Sequence, residues 1–310
     1  MCAIFGLLDY KGQLTAAQRL KIIKVLGTAA EVRGTDATGI AFFQRGQLCI
    51  RKAPKPAHKM KYRIPAGTRV IMGHTRMTTQ GSAKHNQNNH PFPGKVGGTA
   101  FALAHNGVLS NDRELRQLHN LPATDIETDS YTAVQLIEQQ NEMSPNGLAQ
   151  MAEQLEGHFT FTVLDQENNL YFIKGNNPLT IYQFPTLGMY LYASTAEILN
   201  HALATLRMNQ EYQVIQPEQG EILQIDRFGR QSTTRFKTDK IDWDWTYPHW
   251  DSFSFAWSFP TARQDYAEEL KRIARFYGYK EDFVDRLLAE GFAAEDIEDF
   301  IYCRAGLPCE

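Results

Sequence analysis

The sequence has no long apolar run. Its uncharged apolar stretches are short, such as Met1–Leu8, so none is long enough to span a bilayer. Charged residues follow the N-terminus too soon for a signal peptide. No sign of charge dominates: 32 Lys and Arg face 35 Asp and Glu, a net charge of −3, and no global field attracts nucleic acid or an anionic membrane. Cysteine is scarce. The four residues Cys2, Cys49, Cys303 and Cys309 include no CxxC pair. That excludes a disulfide-stapled miniprotein and a zinc knuckle, and it implies free thiols in a reducing compartment. There is no GxxxxGK[ST] loop, no dinucleotide-binding fingerprint, and no HExxH or HxxxH spacing among His74, His85, His90, His105 and His119. The expectation is a soluble cytoplasmic protein with no cofactor, no metal site, no nucleic acid partner and no membrane partner.

What is present is a globular composition. Of 310 residues, 43% are hydrophobic and 22% charged, enough for one large domain with a small appendage. Cys2–Tyr10 reads as a strand buried on both faces. Thr15 is placed to cap a helix reaching about Leu26. Ala37–Phe43 and Gln47–Lys52 read as a hairpin around Arg45-Gly46, with Cys49 as a small hydrophobe buried in its second strand. Arg69–Met72 reads as a strand and Thr78–Gly98 as a long polar loop. Phe101–Ala104 reads as a strand entering a turn at Asn106-Gly107, followed by helices near Asp112–Leu118, Thr128–Gln140 and Asn146–Leu155. Strand patterns at His158–Leu164, Leu170–Lys174, Leu179–Gln183 and Met189–Ala193 precede a helix at Ala196–Leu206 and two further strands to Asp226. Helices and strands come in grouped runs, which favours antiparallel sheets packed with helices over one parallel sheet. After about Thr234 the composition changes. All four tryptophans fall within Trp243–Trp257, and short helix patterns follow at Arg263–Tyr277, Glu281–Glu290 and Ala294–Tyr302. The reading is a domain over residues 1–235 and an aromatic linker with a small helical extension over 236–310.

The second residue carries the chemistry. Removal of Met1, usual before a small residue, leaves Cys2 with a thiol and an α-amine on one residue. That amine has a pKa of about 8 and is able to take the thiol proton, so nucleophile and base coincide. A cysteine at position two is a weak signal by itself. Its company is more telling: Arg33-Gly34-Thr35-Asp36-Ala37-Thr38-Gly39, Gly73-His74-Thr75-Arg76, Asn89-His90-Pro91-Phe92, Ala104-His105-Asn106-Gly107 and Glu127-Thr128-Asp129-Ser130. In this order, over roughly Cys2 to Arg230, the sequence resembles the class II glutamine amidotransferase domain, an N-terminal-nucleophile hydrolase.

The resemblance implies an α+β fold, a four-layer αββα sandwich of two antiparallel sheets between helices, with the C-terminal helical extension added. It implies a catalytic group of Cys2, Asn106 and Gly107, the last two forming the oxyanion hole. It implies that Arg76 binds the substrate α-carboxylate, Asp129 its α-ammonium, and that Thr79 and Gln80 belong to the loop closing over glutamine. The bland alternatives are a turn for Asn106-Gly107, a salt bridge for Arg76, a helix cap for Asp129 and an ion pair with Asp36 or Glu31 for Arg33. Two positions depart from the family pattern: Gln80 stands where many relatives have histidine, and Ala3 where glycine is usual. The implied activity is hydrolysis of glutamine to glutamate and ammonia. No second catalytic motif follows Gln231, so either a separate synthase subunit takes the ammonia or the enzyme simply hydrolyses glutamine, with the extension serving docking or self-association or only capping the hydrophobic surface of the domain. An N-terminal-cysteine acylase for another amide and a non-catalytic binding module remain as alternatives.

Overall fold

The computed structural model describes residues 2–241, Lys271, 279–280, 282–289 and Ile297. The chain divides into two compact units, Met1–Trp243 and Asp244–Glu310. In the first, strand β1 (Ala3–Asp9) is followed by helix α1 (Ala16–Ala29), hairpin strands β2 (Ala37–Gln44) and β3 (Gln47–Ala53), β4 (Val70–Arg76), β5 (Phe92–Val96) and β6 (Thr99–Leu109). Helices α2 (Asp112–Leu118), α3 (Ser130–Gln140) and α4 (Pro145–Ala152) come next. Strands β7 (Gly157–Asp165), β8 (Leu170–Lys174), β9 (Thr180–Phe184) and β10 (Met189–Ala193) lead to α5 (Ala196–Leu206). The unit ends with β11 (Gln213–Ile215), β12 (Glu221–Ile225) and β13 (Gln231–Arg235).

The strands form two antiparallel sheets, ordered β11-β9-β10-β1-β4-β2-β3 and β13-β12-β8-β7-β6-β5. Alternation along β1 shows how the layers arise. Ala3, Phe5 and Leu7 face a core shared with Ile22, Ile23 and Leu26 of α1 and Leu199 of α5. Ile4 and Leu8 face the opposite way, into a core built from both sheets with Ala102, Ala104, Leu164 and Phe172. A strand covered on both faces needs apolar residues at every position, as the sequence shows. The second sheet buries its outer face under α3 and α4, through Val134, Ile137, Leu148 and Met151. The architecture is the expected α+β four-layer αββα sandwich.

Local signals account for several boundaries. Thr15 caps α1 through a capping box with Gln18, whose side chain accepts the Thr15 N–H at 2.8 Å. Ser144 caps α4. The polar loop is shorter than expected, because β5 runs through Phe92–Val96 and buries alternate residues against α3. Cys49 does lie in β3 but is only half-buried, since β3 is an edge strand. Phe236 and Ile241 also pack into the core beneath the second sheet.

In the second unit, helix α6 (Phe283–Ala289) lies inside the expected Glu281–Glu290 segment, and Val284 packs with Ile297. The tryptophan-rich segment, the Arg263–Tyr277 helix except Lys271, most of Ala294–Tyr302, Cys303 and Cys309 lie outside the described residues.

Candidate active site

Cys2 stands immediately before β1, near the middle of the seven-stranded sheet. The register with β4 sets its neighbour Ala3 opposite Thr75, so the start of the strand is paired and held. Arg33, at the end of the short 3-10 turn after α1, donates its Nε–H to the Cys2 carbonyl at 2.8 Å. The Cys2 thiol lies 3.5 Å from the Met77 carbonyl. Burial pushes this thiol above its ordinary pKa, against the lowering effect of the Met77 backbone and the Arg76 charge. It is therefore protonated at neutral pH and needs a base to become a nucleophile. The methyl group of Ala3 is fully buried in the core under α1.

Arg76 ends β4 and is 3% exposed. Its Nη1 donates to Asn89 Oδ1 at 2.7 Å, and its Nη2 donates to the Gln80 and Gly81 carbonyls at 2.5 and 3.1 Å. Its partners are thus neutral loop oxygens, and no carboxylate forms a salt bridge with it among the described residues. The loop it holds is braced from the other side. Glu127 Oε2 accepts from Ser82 N–H at 3.2 Å and Asn88 Nδ2 at 2.7 Å, while the Glu127 N–H donates to Asn88 Oδ1 at 2.9 Å. Gln80 Oε1 accepts the Asp129 N–H at 3.2 Å. Thr79 lies on the same loop, exposed and without a hydrogen bond to the other site residues.

Asn106-Gly107 is not a turn. Both residues lie inside the eleven-residue strand β6, paired with Thr160 and Phe159 of β7. The Asn106 carbonyl accepts from Asn177 Nδ2 at 2.8 Å. Its side-chain Nδ2 is buried without a partner among the described residues. Leaving such a donor unpaired costs about 1–3 kcal/mol, a cost that points to function instead of packing. Gly107 has φ +150°, and a Cβ there would stand 1.9 Å from the His158 carbonyl, so the strand closes only over glycine.

Asp129 precedes α3 but does not cap it. It has helical φ and ψ and no side-chain cap bond, and the helix begins at Ser130 rather than Thr128. Its carboxylate faces β6: Oδ2 accepts the Leu109 N–H at 2.6 Å, and Oδ1 lies 3.3 Å from Ser130 Oγ. A carboxylate only accepts, so the Ser130 hydroxyl donates to it and His105 Nδ1–H donates to Ser130 at 2.8 Å. His74 Nε2 reaches the His105 carbonyl at 2.9 Å and ties β4 to β6 across the two sheets. Burial holds these histidines neutral: His74 falls to about 3, and His90 and His105 are likewise lowered. His90 packs between His74, at 4.3 Å between ring centroids, and Phe92, at 4.4 Å.

Gln80 thus joins Arg76 to Asp129, and the Asp129 carboxylate in turn binds the Leu109 N–H, two positions beyond Gly107 on β6. The charges of Arg76 and Asp129 both act on the Cys2 thiol. The sequence motifs assign no role to Asn88, Asn89, Glu127, Ser130 or Asn177, which hold the loop, the Asp129 carboxylate and Asn106 in place. Asn89, Glu127 and Ser130 are visible in the sequence as neighbours within the ordered motifs, Asn88 lies in the polar run Asn86–His90, and Asn177 carries no signal. No group of three or more His, Cys, Asp or Glu among the described residues is arranged to hold a metal ion. No helix among them is long and apolar enough to cross a membrane.

A family model for glutamine amidotransferases class-II matches residues 1–180. The chain belongs to the class-II glutamine amidotransferases, a family of enzymes. It is 30% identical over 241 residues to a glutamine–fructose-6-phosphate aminotransferase (isomerizing) of Staphylococcus aureus, covering 73% of this chain and 36% of that protein. A Bacillus subtilis protein of the same name is 28% identical over 224 residues, covering 68% of this chain and 34% of that one. The chain spans about a third of the length of these relatives. Among solved structures, the B. subtilis glutamine phosphoribosylpyrophosphate amidotransferase complexed with ADP and GMP superposes with a TM-score of 0.60 at 19% identity, covering 77% of this chain and 51% of that one. A structure described as the allosteric regulatory enzyme of purine biosynthesis gives 0.61 at 19% identity, covering 77% and 50%. These two share the fold of this class-II amidotransferase.

Proposed function

We propose that this chain hydrolyses glutamine to glutamate and ammonia through a thioester on Cys2, and that the ammonia passes to a separate acceptor subunit in the cytoplasm. The observation that carries the reading is the Nδ2 of Asn106, buried without a partner among the described residues, on β6, which packs across the sandwich on β1, the strand that Cys2 precedes. A preorganised donor left unpaired among the described residues suits a charge that exists only during reaction.

With Met1 removed, the Cys2 α-amine takes the thiol proton. The thiolate attacks the side-chain amide carbon of glutamine, and the amide oxygen becomes an oxyanion held by Asn106 Nδ2–H and the Gly107 N–H. The carbon–nitrogen bond then breaks, and the ammonium proton goes to the leaving nitrogen, which departs as ammonia. Water, deprotonated by the same amine, adds to the thioester. The carbon–sulfur bond breaks, and glutamate leaves with the sulfur protonated again. Arg76, with three of its five N–H groups committed to loop oxygens, offers the others to the substrate α-carboxylate. Asp129 offers its negative charge to the α-ammonium. Such a clamp fits a zwitterion and has no use in an acylase for uncharged amides.

Replacing Cys2 with Ala should abolish ammonia release from glutamine while the melting temperature stays close to that of the parent. Undiminished turnover in Cys2→Ala rejects the mechanism.

A further inference from the structure

The near-neutral total charge conceals a strong segregation. Between Asp36 and Asp112 the sequence contains no Asp or Glu, yet eleven Lys and Arg. The fold gathers six of these on one groove of about 770 Å3, beside the edge strand β3 and the segment after it: Arg51, Lys52, Lys55, Lys59, Lys61 and Arg63. No acidic side chain lines the groove, and none of the six forms a salt bridge among the described residues. Like charges crowded in this way repel one another, so an anion that enters gains from all of them at once. The site is also separate from the chemistry already described, because neither Cys2, Arg76, Asn106 nor Asp129 lines it.

The apolar lining is Ile50, Ala53, Met60, Pro93 and Ile126, with no aromatic ring. A groove without a stacking platform is a poor holder of unpaired bases. Its volume falls in the range of small-molecule sites, about 300–1,000 Å3. Lysine ammonium groups and arginine forks together match closely spaced phosphoryl oxygens.

One cation of the groove also reaches the glutamine site. Lys52 Nζ donates to the Asn89 carbonyl at 2.6 Å and, more weakly, to the Gln87 carbonyl at 3.5 Å. Asn89 Oδ1 in turn accepts from Arg76 Nη1 at 2.7 Å. In the other direction, Asn86 Nδ2 donates to the Lys52 carbonyl at 2.8 Å. An anion in the groove competes with these carbonyls for the Lys52 ammonium and loosens the segment that positions Arg76.

We propose that this groove is an effector site for a small molecule carrying two or more phosphoryl groups, and that its occupancy is read at Arg76 through Lys52 and Asn89. The second clause rests on the glutaminase reading above; the first does not.

The test uses the full chain and inorganic tripolyphosphate as probe. Calorimetry at about 0.15 M salt should give saturable binding of one equivalent. Binding should weaken at least about tenfold in a Lys59→Glu, Lys61→Glu double variant, with Lys59→Gln, Lys61→Gln as a milder pair if the first fails to fold. Saturating tripolyphosphate should raise the KM for glutamine with kcat little changed, and Lys52→Met should remove that response. Three results overturn the proposal. No binding means that the lysines only guard an exposed sheet edge. A short single-stranded oligonucleotide binding more tightly than tripolyphosphate means a nucleic-acid surface. Binding that leaves KM unmoved breaks the link to Arg76. The calorimetry decides the site even if the chain releases no ammonia, so the two readings fail separately.

Discussion

Gln80 Oε1 accepts the Asp129 backbone N–H at 3.2 Å, while the Gln80 carbonyl accepts from Arg76 Nη2 at 2.5 Å. One loop residue therefore joins the cation at the end of β4 to the anion at the start of α3. These are the two charges proposed to read the ends of the glutamine zwitterion; one ends β4 of the first sheet, and the other precedes α3, which packs on the second. The spacing between them depends on a glutamine where many relatives have histidine.

Removing the clip should loosen that spacing without touching the reacting atoms. Gln80→Ala should raise the KM for glutamine about tenfold, roughly 1.4 kcal/mol, and leave kcat within a few-fold. Steady-state kinetics over a range of glutamine concentrations separates the two. A fall in kcat at constant KM would assign Gln80 to the chemistry.

Asn106 should behave in the opposite way. Asn106→Ala removes a donor proposed to act only in the transition state, so kcat should fall about 10²–10³-fold, near 3–4 kcal/mol, with KM nearly constant. The donor has no partner among the described residues, so this deletion should cost little stability. A large drop in melting temperature with unchanged kcat would make Asn106 a structural residue.

Asp129→Asn tests the ammonium site by charge alone. The amide oxygen is still able to accept the Leu109 N–H now held at 2.6 Å, so the local fold is kept. Losing the negative charge should weaken glutamine about 10²-fold in kcat/KM, while a substrate analogue lacking the α-amino group should be affected little. Equal losses for both would remove Asp129 from ammonium recognition.

Much of this arrangement was legible in the sequence, for physical reasons that differ by element. The apolar run after Cys2 announced a doubly buried strand, and Thr15 with Gln18 announced the start of α1. The ordered motifs carried the site residues through their resemblance to a family. Local chemistry misled at two points. Asn106-Gly107 is a good turn dipeptide, but pairing with β7 and the close approach of the His158 carbonyl keep it in a strand. Asp129 has the side chain of a helix cap, but the buried Leu109 N–H takes it. Asn89 and Ser130 lie within the ordered motifs, but their supporting roles, like that of Asn177, were illegible because their partners lie on other elements, between 13 and 71 positions away.

The buried histidines give the fold a pH signature. His74, His90 and His105 all have folded-state pKa values below the unfolded value of about 6.5, His74 near 3. Between those values the unfolded chain binds protons that the folded chain refuses. Stability from these groups is therefore complete above about pH 6.5 and is lost as pH falls below it, by up to about 1.4 kcal/mol per pH unit for each histidine. Thermal melts should fall steeply from pH 6.5 to 4. A His90→Gln variant, if it folds, should fall less steeply, and a flat profile would contradict the assignment.

The central claim is that the second residue becomes the first and attacks glutamine. Mass spectrometry of the purified chain after treatment with a glutamine-shaped electrophile reads both parts at once. The account predicts a chain lacking Met1, carrying one adduct on its N-terminal Cys2, with protection by free glutamine. An actively hydrolysing chain that retains Met1, or one whose adduct lies on another residue, would contradict it.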